Sequence, residues 1–174
     1  MKSILLASTA ILLTQNIAKA YSLHGAKQEG KYLKIELVNM NEKYRLAAIT
    51  AGISYCLNTH ITVHADIHPG GSRFTASHGN FGKTGWEARA TWRTGFRSNI
   101  IKSGSIHMNE AYCNSMNGLN LRVVTMHEIG HLLGLGHSKL QNAIMYTSAS
   151  HAFLRHNTFT PTNDDKAGLR KLYI

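Results

Sequence analysis

The chain has 174 residues, 43% hydrophobic and 16% charged, which suits one buried core and leaves too few charges for a long disordered tail. Two prolines and 15 glycines without a period exclude a proline-rich linker and a collagen-like repeat. The formal charge is +10, but the basic residues are scattered with no run of five, so a solvated basic surface is expected and a specific nucleic-acid site is not.

Residues 1–20 read as a signal peptide: Lys2, an apolar run from Ile4 to Leu13, and Ala18-Lys19-Ala20 as a small-x-small cleavage signal. The alternative is an N-terminal anchor, but the run is about half of the roughly 20 residues that span a bilayer. A short segment, 21–30, then leads into one domain, 31–174. No later stretch reads as transmembrane, so the protein is expected to be exported, secreted or periplasmic, and monomeric. Removing Lys2 and Lys19 leaves 17 basic residues against 9 acidic ones, or +8. In an oxidising compartment the even pair Cys56 and Cys113 predicts a disulfide, with two free thiols as the alternative.

In chain order, Tyr32–Val38 alternates as a strand. Asn39 and Glu42 have capping-box spacing, and a helix with Leu46, Ile49, Ile53 and Leu57 on one face follows. Ile61–Ile67 is a second strand. Residues 68–83, rich in Gly, Ser, His and Asn, read as a long surface loop. Glu87–Arg93 predicts an exposed strand with Ala88, Ala90 and Trp92 on one face, and Ser105–Asn109 a short one. Asn117-Gly118 marks a turn, and Leu119–Leu133 is a mostly apolar, buried helix. A tight turn follows at Ala143–Tyr146, and Thr162 with Asp165 caps a last helix to Leu172.

The chemistry concentrates on the helix from Leu119. His127 and His131 are four apart and project from one helical face, where two imidazoles can hold one zinc ion. Glu128 sits beside them, able to reach a water without ligating the metal. Gly134 can end the helix in a left-handed conformation, and His137, three residues on, can return as a third ligand. Three protein ligands leave one position open, the pattern of a catalytic zinc. The full HExxHxxGxxH pattern has a chance expectation of roughly 10⁻⁴ in a chain of this composition.

His127–His137 (HEIGHLLGLGH) followed by Ser138 resembles the metzincin zinc signature, and its Gly-Leu-Gly-His-Ser ending is most similar to the matrixins, the matrix metalloproteinase family. Ile144-Met145-Tyr146 resembles the family's Met-turn, and Thr162–Tyr173 its last helix. The resemblance implies an α+β zincin-like fold: a twisted, mixed five-stranded sheet, two long helices and a small C-terminal subdomain ending in a helix. It implies His127, His131 and His137 as zinc ligands, Glu128 as general base for a metal-activated water, and Met145 as the floor of the site. Asp164 and Asp165 would tie the last helix to the N-terminus and the Met-turn. The activity implied is that of a zinc endopeptidase acting on proteins or peptides, with substrate pairing along Glu87, Ala88, Arg89 and Ala90.

Val123, one turn before His127, and Ala149, Ala152, Phe153 and Leu154 would line a hydrophobic pocket beside the zinc. Thr147 stands where the family usually has proline, and the ten or so residues after Tyr21 contain no zinc-blocking cysteine. His107 falls near a family structural-zinc ligand, but His64, Asp66 and His78 do not reproduce the spacing. With only 9 acidic residues, neither a second zinc nor calcium is expected. Two other readings stay open: a basic binding protein that keeps a metalloprotease fold, and a zinc hydrolase acting on a non-peptide bond.

Overall fold

The computed structural model describes residues 20–68 and 70–174. The leader expected over residues 1–20 lies outside them except for Ala20, and so does Pro69. Leu33, Ile35 and Leu37 alternate into the core along β2 (Tyr32–Leu37), which pairs in parallel with β3 (Thr62–Asp66) on one side and β4 (Phe74–Gly79) on the other. β4 pairs in parallel with the long β6 (Ile100–Asn109), and β5 (Ala88–Thr94) lies antiparallel on the far side of β6. A two-residue strand, β1 (Lys27–Gln28), adds to the start of β6. The sheet is therefore mixed, as expected, and β3 and β5 form opposite edges of its five longer strands. The helices are α1 (Glu42–Asn58), α2 (Glu110–Cys113), α3 (Gly118–Leu132), α4 (Ala149–His156) and α5 (Asn163–Tyr173).

β6 starts at Ile100, five residues before the short strand expected from Ser105, and three further local expectations change. Asn41, not Asn39, caps α1, accepting from the Tyr44 amide, while Asn39 itself is left-handed at φ 50°. The aliphatic stripe of α1 faces outward: Leu46, Ile53 and Leu57 are exposed, the last by 80%. The buried face is Tyr44, Ala47, Ala48, Ala51, Gly52 and Tyr55. Close approach explains the choice, since a Cβ on Gly52 would stand 2.9 Å from the Val63 carbonyl oxygen of β3. The third change is β4, hidden in what reads as a loop. Its Phe74 and Ala76 are buried and its backbone is paired on both sides, so the ladder rather than apolar bulk holds it.

The expected disulfide is not formed; both cysteines are free. Cys56 Sγ accepts from the Val63 amide on β3 (3.3 Å), whereas Cys113 Sγ donates to the Glu87 carbonyl next to β5 (3.2 Å). These are opposite edges of the sheet, about 19 Å apart at the usual strand spacing, well beyond disulfide reach. Burial pushes the Cys113 thiol up to about 12, so it is inert, while Cys56 is exposed. Thiol titration is expected to find one reactive group in the native protein and two after unfolding without reductant.

Candidate active site

α3 starts at Asn117, whose side chain accepts from the Asn120 amide (2.8 Å). It runs buried between α1, α4 and the sheet, and its polar residues His127, Glu128 and His131 are each less than 10% exposed. The helix ends in a Schellman turn: Gly134 N–H donates to His131 O and Leu135 N–H to Gly130 O. Gly134 adopts φ 102°, and a Cβ there would stand 2.3 Å from the Ala26 carbonyl oxygen. The turn sends the chain back so that His137 faces the two helical histidines.

One ligand atom from each of His127, His131 and His137 lies within 4.8 Å of the others. Nδ1 of His127 stands 2.8 Å from Ile144 O, and Nδ1 of His131 stands 2.9 Å from Leu135 O. Those carbonyls place the proton on Nδ1 and free Nε2 as a donor for metal, the usual outer support of a metal-binding imidazole. Burial lowers the pKa of His127 to about 4 and of His131 to about 3, and it lowers that of His137 as well. All three imidazoles are therefore neutral at physiological pH, the form that ligates. The donor set, tautomers and spacing fit a zinc ion.

The surrounding chain fixes this geometry. Met145 packs against α3 so closely that a Cβ on Gly130 would stand 2.3 Å from its Sδ. Asp165 holds the Met145 turn, accepting from the amides of Ile144 and Met145 (both 3.1 Å) and from the amide and hydroxyl of Thr162 (both 2.7 Å). Burial pushes its carboxyl up while these four donors pull it down. Asp164 accepts from the amides of Ala20 (3.3 Å) and Tyr21 (3.1 Å) and from the Ser138 hydroxyl (2.6 Å). Residues 22–24 pair with 134–136, and Ser22 Oγ donates to His137 O (2.7 Å). The N-terminal segment thus braces the loop that carries the third histidine.

A cleft of about 580 Å³ opens over the cluster. Glu87, Ala88, Arg89 and Ala90 line one side of it. Val124 rather than Val123 lines the opposite side. The cleft follows the row of Glu128, and Val124 is one turn before that residue, while Val123 lies off that row. Thr147, Ser148 and Ala149 close the far end. Ala152 is wholly buried and Leu154 is 68% exposed on the unanticipated helix α4, and neither lines the cleft.

Sequence reasoning missed His24, whose Nε2 is 3.0 Å from Nδ1 of His131 and whose ring packs 4.4 Å from Trp92. Nothing in the sequence signals a contact across 107 residues. His107 has both ring nitrogens met by hydroxyls, Nδ1 by Ser77 (2.9 Å) and Nε2 by Ser105 (3.2 Å). His78 stacks on Tyr44 at 4.3 Å and bonds Glu110.

A family model described as Matrixin matches residues 58–174. The chain belongs to the matrixin family. Rat (Rattus norvegicus) macrophage metalloelastase is 30% identical over 170 residues, covering 87% of this chain and 35% of that protein. Human (Homo sapiens) matrix metalloproteinase-19 is 37% identical over 79 residues, 44% of this chain and 15% of the relative. Metalloendoproteinase 1-MMP of Arabidopsis thaliana is 51% identical over 57 residues, 32% of this chain and 14% of the relative. The chain thus spans about a third or less of the length of these matrixin relatives. The matrixin match takes in α3, the Met145 turn and α5, the elements that build the histidine cluster.

Asp165→Ala leaves four donors without their acceptor and frees the turn under the histidines. It is expected to lower unfolding stability by about 3 kcal/mol in a urea titration.

Proposed function

We propose that this chain is the catalytic domain of an exported zinc endopeptidase. The observation that carries the reading is the convergence of three neutral histidines, the two helical ones braced by carbonyls, with Glu128 in a cleft bounded by an open strand edge. His127, His131 and His137 would hold the zinc. Bound there, zinc supplies a Lewis acid that polarises the scissile carbonyl and makes a water acidic enough to attack near neutral pH.

The remaining steps belong to this chain's residues. Burial pushes the Glu128 carboxyl up to about 7; the Ala90 amide opposes that shift, the Glu87 charge adds to it, and Arg89 opposes it. A carboxyl poised there can take a proton from the attacking water and hand it to the leaving nitrogen without a large penalty in either direction. β5 pairs with β6 on one side only among the described residues. Its other edge, with Ala88 and Ala90 at the cleft wall, can bind an extended peptide by strand addition and set the scissile carbonyl over the histidines.

The leader read from the sequence supports export, and the contact at Asp164 is compatible with its removal. Cleavage after Ala20 would turn the Tyr21 amide that now donates to Asp164 into an ammonium, so processing would convert a hydrogen bond into an ion pair. No helix among the described residues is long and apolar enough to cross a membrane.

Glu128→Gln is expected to keep bound zinc and the fold while peptide cleavage falls by at least roughly 10²–10⁴-fold. Metal analysis and single-peptide kinetics on the residue 21–174 chain check this, and a near-normal rate would remove Glu128 from the acid–base role.

A further inference from the structure

The cleft holds a second carboxylate, whose part in the mechanism is confined to adding to the shift of Glu128. Glu87 stands just before β5, between Cys113 of α2, Glu128 of α3 and Ser150 of α4. Ser150 Oγ donates to Oε1 of its carboxylate at 2.5 Å, which fixes the side chain against α4. Oε2 has no protein donor among the described residues, and no lysine, arginine or histidine nitrogen there lies within 4.0 Å of the carboxylate. The nearby cation, Arg89, is exposed and lies over the Trp86 ring, 4.9 Å from its centroid. Val124 and Ala149, both small and nearly fully buried, line the same cleft. An anion held by one hydroxyl and left without a countercharge in a half-buried cleft is a receptor for a cation.

We propose that Glu87 is a specificity-determining residue, and that its carboxylate receives a lysine or arginine side chain of the substrate at a position adjoining the cut bond. The inference rests on the endopeptidase reading above and deepens it. It replaces the apolar pocket expected from the sequence with one whose Val124 and Ala149 walls pack the alkyl stem of a basic side chain while Glu87 meets its head.

The test uses the zinc-loaded residue 21–174 chain and a peptide series with Lys, Arg, Leu, Gln or Glu on either side of one scissile bond, with cut sites mapped by mass spectrometry. Wild type is expected to favour Lys or Arg over Leu and Gln by about tenfold in kcat/KM, carried mainly by KM, with the preference shrinking in added salt. Glu87→Gln keeps an acceptor for Ser150 and removes the charge; it should lose about tenfold more on basic peptides than on Leu peptides. Ser150→Ala keeps the charge and should keep the basic preference.

Equal losses on all peptides in Glu87→Gln, or a wild-type preference for Leu, would overturn the assignment while leaving the endopeptidase reading intact. Failure of the zinc-loaded wild type to cut any peptide would overturn both.

Discussion

Burying two imidazoles and a carboxylate on one apolar helix is the constraint on which the rest of the structure depends. Unpartnered polar groups at that depth cost several kcal/mol, and protonated histidines would cost more. The fold meets the constraint by keeping the imidazoles neutral and giving each helical Nδ1 a backbone carbonyl, Ile144 O for His127 and Leu135 O for His131. What stays unmatched is a convergent set of lone pairs, which a zinc ion would satisfy. The same burial that disfavours charge on the histidines brings the Glu128 carboxyl close to neutral pH.

The supporting chain is organised around those carbonyls. Ile144 belongs to the turn that Asp165 anchors, and Leu135 belongs to the Schellman turn that Gly134 permits and residues 22–24 brace. α5 and the N-terminal segment, both remote in sequence from α3, therefore act on the site through the loops that aim the histidines. Asp164 joins the two supports, accepting from Ala20 and Tyr21 on one side and from Ser138 on the other.

The site was legible in the sequence because its geometry is local: a four-residue helical spacing, a glycine that reverses the chain and a return three residues later. The Thr162–Asp165 capping box was legible for the same reason. What failed depends on which neighbour a residue meets. The Leu46, Ile53 and Leu57 stripe has the periodicity of a buried face, yet the backbone-to-sheet approach at Gly52 selects the alanine face instead. β4 carries small polar residues, so it reads as loop, and pairing on both sides holds it as a strand. Cys56 and Cys113 are an even pair with sheet edges between them. Val123 and Val124 differ by one helical step, and only the direction of the cleft decides between them.

The most direct test of the account removes the metal and follows activity and fold together. The residue 21–174 chain is stripped with a chelator, verified metal-free, and titrated with zinc while peptide cleavage and thermal unfolding are recorded on the same samples. The account predicts that cleavage disappears and the melting temperature falls on stripping, and that both return together at one equivalent of zinc. Undiminished cleavage by the verified metal-free protein, or the same zinc uptake and recovery in His137→Ala, would contradict it.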